Sequence, residues 1–318
     1  MENNRIQYHA SGAGLFVIML KNIFLTIVTL GIYSFWAKTN VQKFIAENIE
    51  WAGERLSFHG SGKERFIGFL KAALILIGLY AFNLAITYLV SFLPIPYLSS
   101  IVSVVLTLAV FLALVPVIVV GGTKYITSRT GYRNLRFGFD GKILEVAKIY
   151  AKGILLTAIT LGIYYPWFYV EKEAYLKSKT RYGNTNFGFQ ADGQEMFFMF
   201  LKGFFLIIVT LGIYYPWYFA EVRNYIWNHT SFQGKRFQSD LTGGNVFLHF
   251  LLAYILIFFT LGIGFAWAIV YIDKMLYESI SLETEVDFST ITAKTDTNAN
   301  ATAEGLDALA DAFESFIS

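Results

Sequence analysis

Thr210-Leu-Gly-Ile-Tyr-Tyr-Pro-Trp217 decides how this chain is built, because it occurs four times. The other copies are Thr29-Leu-Gly-Ile-Tyr-Ser-Phe-Trp36, Thr160-Leu-Gly-Ile-Tyr-Tyr-Pro-Trp167 and the altered Thr260-Leu-Gly-Ile-Gly-Phe-Ala-Trp267. Each copy lies in an apolar run. A glycine just past a helix end serves as its left-handed C′ residue, and a proline suits the first position of the next helix. Gly212 is thus expected to stop one helix and Pro216 to start another. The candidate hinge residues are Thr29, Gly31, Trp36, Thr160, Gly162, Pro166, Trp167, Thr210, Gly212, Pro216, Trp217, Thr260, Gly262 and Trp267.

Working outward, the register extends well beyond the eight residues. Thr160, Thr210 and Thr260 are 50 residues apart. A Phe precedes each by 23 (Phe137, Phe187, Phe237), and Lys21, Lys152 and Lys202 each precede their own Thr by 8. Phe58, Gly62, Glu64 and Lys71 match Phe189, Gly193, Glu195 and Lys202 at a constant offset of 131. Periodicity of this kind marks an internal repeat. It divides the chain into units at residues 1–56, 57–136, 137–186, 187–236 and 237–280, with a tail at 281–318. The segments before each apolar run, such as Asn134-Leu-Arg-Phe-Gly-Phe-Asp-Gly141, alternate Phe with polar or small residues and read as short β-arms.

Composition assigns the solvent. The 318 residues are 55% hydrophobic and only 15% charged, against about 25% charged in a soluble domain. The expected fold class is an all-α polytopic membrane protein with about six apolar segments joined by β-arms. The 66–93 and 97–120 stretches, split by Pro94-Ile-Pro96, are each long enough to cross about 30 Å of hydrocarbon. Pro116 is expected to kink the second of them. The first apolar run ends without a small-residue cleavage site and is read as retained.

Two topologies compete for the short units. In one, each is a re-entrant hairpin and all polar segments lie on one side, with only the Pro94 turn on the other. In the other, each apolar run is a straight span; 203–220 supplies 18 apolar residues, just enough. The positive-inside rule then puts the more basic face in the cytoplasm.

The chemistry is sparse. There are no cysteines, and His9, His59, His229 and His249 lack ligand spacing, so neither a metal nor a cofactor is expected. No phosphate loop or hydrolase motif is present, and the chain reads as non-enzymatic. Lys21, Lys71, Lys152 and Lys202 begin apolar segments and are candidate lipid-headgroup contacts, with boundary pairing to Glu64, Glu145 and Glu195 as the plainer role. Asn83 and Thr87 form a candidate intramembrane polar site, with helix–helix hydrogen bonding as the plainer role. The tail carries a net charge of −7 against +9 for the rest, which favours anionic lipid over nucleic acid as partner. Within it, Glu285–Thr290 alternates like a strand, 292–302 reads as a linker and 303–317 as an acidic amphipathic helix whose plainer role is docking on the chain's own basic face and whose sharper one is recruiting a protein.

The four Thr-Leu-Gly-Ile motifs, the Phe-Gly-Phe arms, the Pro94 hairpin and Glu304-Gly-Leu-Asp-Ala-Leu-Ala-Asp-Ala-Phe313 resemble the YjgN-like family of bacterial inner-membrane proteins, whose function is unknown. The resemblance implies a multi-pass inner-membrane location and carries over no activity or catalytic residue. The function expected is organising or binding lipid, with homo-oligomerisation, through broken hairpins. The alternative is a channel or transporter for a lipid or neutral solute.

Overall fold

The computed structural model describes residues 4–284 and 286–293. Among these residues ten α-helices alternate in pairs with short strands. The helices are α1 (Gly12–Val28), α2 (Ser34–Glu47), α3 (Gly62–Ser91), α4 (Leu98–Arg129), α5 (Ile143–Ile159), α6 (Tyr165–Lys179), α7 (Gly193–Val209), α8 (Tyr215–Asn228), α9 (Gly243–Phe259) and α10 (Phe265–Glu278). The strands are β1 (Gln7–Tyr8), β2 (Ile49–Trp51), β3 (Glu54–Arg55), β4 (Ser57–Phe58), β5 (Thr130–Tyr132), β6 (Leu135–Phe139), β7 (Thr180–Tyr182), β8 (Thr185–Phe189), β9 (Thr230–Phe232), β10 (Lys235–Ser239) and β11 (Ile280–Leu282).

The all-α expectation fails here. The β-arms do not merely connect helices; they merge into an antiparallel sheet of order β11-β10-β9-β8-β7-β6-β5-β4, beside a three-stranded sheet β1-β2-β3. The reason is that each arm pairs on both sides: Phe187 of β8 faces Phe232 of β9 while Thr185 faces Tyr182 of β7. Two-residue turns set the register. Arg133-Asn134 and Gln233-Gly234 both take left-handed φ (42° and 64°; 51° and 74°), the type I′ geometry whose twist matches that of the strands.

The two sheets meet. Arg5 bridges to Ser281, the Ile6 amide donates to the Ile280 carbonyl at 3.0 Å, and the Leu56 amide donates to the Ile49 carbonyl at 2.9 Å. The helices close on themselves in the same way. Each packs on its chain neighbour, and α10 packs on α1. Aromatic residues fill the strand belt: Tyr132, Tyr182, Phe232, Phe237, Ile280, Leu282 and Ile291 are buried together.

The strand expected at 285–290 is replaced by a 3-10 turn at Phe288–Thr290, because Asp287 accepts from the Ser289 amide and bends the chain. Phe288 then packs on Trp51 and Tyr132 at 5.4 Å each. The linker beyond 293 and the acidic helix at 303–317 lie outside the described residues.

Among the described residues only α3 and α4, at 30 and 32 residues, are long and apolar enough to cross a membrane. The Pro94 turn joins them. Pro116 sits inside α4, which runs on through it. The other apolar runs each break into two helices whose outer ends both return to the strand belt. The 203–220 segment is therefore two helices rather than one straight span.

Candidate functional site

The four hinges share one geometry. The Thr210 hydroxyl donates to the Leu206 carbonyl at 2.6 Å and accepts from the Tyr214 amide at 2.9 Å. The Gly212 amide donates to Ile207 O at 2.7 Å and the Leu211 amide to Ile208 O at 3.1 Å. This crossed pair is a Schellman cap. The same bonds occur at Thr29, Thr160 and Thr260.

The cap corrects the assignment of roles. Gly212, with φ of 93°, is the C″ residue, and C′ is Leu211 with φ of 51°. Leu30, Leu161 and Leu261 are left-handed too. The crossed bonds put C′ in the left-handed region, and here C″ is left-handed too, so the turn extends one residue further than a simple glycine stop. Pro166 and Pro216 likewise occupy the second position of α6 and α8, after Tyr165 and Tyr215.

A left-handed leucine is strained by roughly 1–2 kcal/mol. These four are also 94–95% exposed. Ile32, Ile163, Ile213 and Ile263 beside them are at least half exposed. Each short hairpin thus ends in a bare apolar tip held out by a strained backbone. Composition alone missed these leucines; the signal was the invariant Leu between the capping Thr and Gly.

The tryptophans do not sit at the tips. Trp36, Trp167, Trp217 and Trp267 lie over Gly62, Gly193, Gly243 and Gly12, where a Cβ would come within 2.3–2.4 Å of the indole. Their rings meet Phe66, Phe197, Phe247 and Phe16 at 5.1–5.8 Å. They join successive hairpins, and the last of them joins α10 to α1.

The lysines divide. Lys152 pairs with Glu171 at 2.9 Å and Lys202 with Glu221 at 2.5 Å, across the hairpin rather than with the preceding Glu145 and Glu195. A residue seven positions back lies on the same face but two turns, about 10 Å, away, whereas the returning helix brings its carboxylate alongside. Glu145 and Glu64 pair instead with Lys179 and Arg129. Lys21 and Lys71 are exposed on α1 and α3.

Asn83 and Thr87 satisfy one another and the facing helix. The Asn83 amide donates to Ser103 O and Thr107 Oγ1 at 3.2 Å, and its oxygen accepts from Thr87 and Ser103. Their role here is to bind α3 to α4.

A second set of polar groups lies on the inner faces of α6, α8 and α10. Lys177 donates to Thr230 Oγ1 at 2.5 Å and lies 5.0 Å from the Trp227 ring. Burial pulls its pKa down to about 8, with Glu173 opposing and Arg223 reinforcing the shift. Burial also lowers the pKa of Arg223 and raises that of Asp273. No cluster of His, Asp and Glu fit to hold a metal occurs among the described residues.

Residues 3–215 and 206–309 match the family described as "Bacterial protein of unknown function (DUF898)". Three curated relatives bear the name "Inner membrane protein YjgN". That of Escherichia coli O157:H7 is 28% identical over 49% of this chain and 36% of its own length. That of Salmonella typhimurium is 27% identical over 43% and 32%, and that of Escherichia coli K12 is 36% identical over 20% and 16%. The matches span about a third or less of those relatives. No solved structure matches. With the family matched along nearly its whole length, the chain belongs to this YjgN-like family of bacterial inner-membrane proteins of unknown function.

Proposed function

We propose that the chain is a non-enzymatic inner-membrane protein that binds and organises lipid by inserting hairpins to two depths. The observation that carries this is the set of four fully exposed, left-handed leucines at the hairpin tips. An apolar tip of this kind has no use in water, where each exposed leucine forgoes roughly 1.5–3 kcal/mol of burial.

Length sets the depth. From Lys152 or Lys202 to its hinge is 8 residues, about 12 Å of helix. That is less than half of a 30 Å hydrocarbon core. From Lys71 to Ser91 is 20 residues, about 30 Å, a full crossing. The short hairpins are then re-entrant in one leaflet, the α3–α4 hairpin crosses both, and the polar belt lies in the cytoplasm. Homo-oligomerisation, in this reading, uses the flanks of α3 and α4, whose apolar lengths have few protein neighbours.

The chain lacks cysteine, which suits a direct test. Single cysteines at Leu211 and Ile95 are spin-labelled in proteoliposomes. The expected result is a Leu211 label within the hydrocarbon of one leaflet, and an Ile95 label reachable by a polar relaxer added to the opposite side. A Leu211 label in bulk water overturns the reading.

The second reading is a channel or transporter for a lipid or neutral solute, favoured by the buried charges of Lys177, Arg223 and Asp273. Solute flux in proteoliposomes that Arg223→Leu abolishes would select it.

A further inference from the structure

The last hairpin departs from the third and fourth at four matched positions, and a cavity stands beside the departures. In the fourth unit Lys202 pairs with Glu221, and the Tyr225 hydroxyl accepts from the Asp192 amide at 2.8 Å. In the third unit Tyr175 accepts from the Lys142 amide at 2.7 Å. Fifty residues after Lys202, Glu221, Tyr225 and Glu195 stand Leu252, Tyr271, Met275 and Asn245. The ion pair and the tyrosine clasp are both gone. A cleft of about 500 Å³ opens there, lined by Asn245, Tyr271 and Met275 together with Arg5, Asp240, His249, Lys274 and Glu278.

The charges in the cleft alternate. Arg5 pairs with Asp240, and Lys274 lies 3.9 Å from Glu278. Glu278 is held by the Tyr8 amide at 3.3 Å. His249 donates from Nδ1 to Asn245 O at 2.8 Å in the tautomer that satisfies that carbonyl, which leaves Nε2 free. Its ring stacks on Tyr271 at 4.2 Å. Two cations, two carboxylates and an imidazole around one opening suit a ligand that carries both signs. His249 lies 11 residues before the hinge at Thr260, about 16 Å of helix. That is about one helical turn further from the tip than Lys152 and Lys202, on the polar side of the hydrocarbon edge that those pairs mark.

We propose that this cleft is a headgroup site for a phospholipid bearing a phosphate and a primary ammonium, of the phosphatidylethanolamine class. The inference rests on the membrane reading above. Arg5 and Lys274 take the phosphate through charge-assisted hydrogen bonds. Asp240 and Glu278 take the ammonium. A choline headgroup has no N–H to give those carboxylates, and a glycerol headgroup brings no cation to them.

The test uses the full chain and phosphatidylethanolamine, phosphatidylcholine and phosphatidylglycerol of identical acyl chains, with bound lipid read by native mass spectrometry. Wild type should retain phosphatidylethanolamine about tenfold better than either rival. Met275→Tyr restores the residue of the third and fourth units, fills the cleft and should remove the preference while leaving the melting temperature intact. Lys274→Ala should weaken retention on its own. Equal retention of the three lipids overturns the proposal, as does an unchanged preference in folded Met275→Tyr. Equal stabilisation by water-soluble glycerophosphoethanolamine overturns the assignment to a lipid. Flotation with liposomes separates the two levels. If wild type does not float, the membrane reading fails; if it floats without headgroup preference, only this proposal fails.

Discussion

At the scale of the residue, the hairpin tip sets stability against insertion. Leu211 occupies a left-handed conformation that glycine adopts without penalty. Leu211→Gly should therefore raise the unfolding free energy in detergent by about 0.5–1 kcal/mol, the strain relieved less the greater chain entropy of glycine. The same change removes the exposed side chain and should weaken liposome association. A stability gain with unaltered association would show that the tip does not meet lipid. Thr210→Val tests the lock beneath it. Valine keeps the shape but neither donates to Leu206 O nor accepts from the Tyr214 amide. A loss of about 1–2 kcal/mol is expected in chemical denaturation.

At the scale of the element, the inner faces of α6, α8 and α10 carry a charge that burial opposes. The Lys177 pKa falls from 10.5 to about 8 in the fold. Between those values the unfolded chain binds more protons, so stability rises with pH from about 8 upward. Below 8 both states are protonated and the cost of the buried charge is fully present. Lys177→Met should be more stable than wild type at pH 7, and its advantage should shrink by pH 9.5, as followed by thermal melts. A pH-independent difference would point to packing alone. The hinges and β-arms were legible in the sequence because both depend on local chemistry: a Thr-Leu-Gly cap and Phe alternation ending in turns. What the arms join was not legible. Pairing of β6 with β7 or of β8 with β9 joins the two ends of a unit through contacts that leave no mark on period or composition. The Lys partners were missed for the same reason, since Glu171 and Glu221 reach Lys152 and Lys202 only once the hairpin has folded back.

At the scale of the molecule, closure is the property that separates this fold from an open array of hairpins. In an open array the end units are capped and the first and last never meet. Here Trp267 lies on Gly12, Phe16 packs on Trp267 at 5.2 Å and Ile6 hydrogen-bonds to Ile280. The motif copy that has lost Tyr, Pro and the lysine has kept its Trp, because the contact it makes is the seam. Trp217 makes the same contact inside the chain, on Gly243 and Phe247. Two substitutions therefore separate closure from ordinary packing. Each removes a partly exposed indole and should cost about 2–3 kcal/mol, toward the low end for a tryptophan truncation. Trp217→Ala loosens a junction that the covalent chain still holds, so its effect on hydrogen exchange should stay within α8, α9 and β10. Trp267→Ala frees two chain ends. Exchange should accelerate together in residues 5–16 and 265–282, while β7 and β8, far from the seam in strand order, keep wild-type protection. Equal, local effects from both substitutions would mean that the strand belt alone closes the molecule and that the α10–α1 contact only follows it.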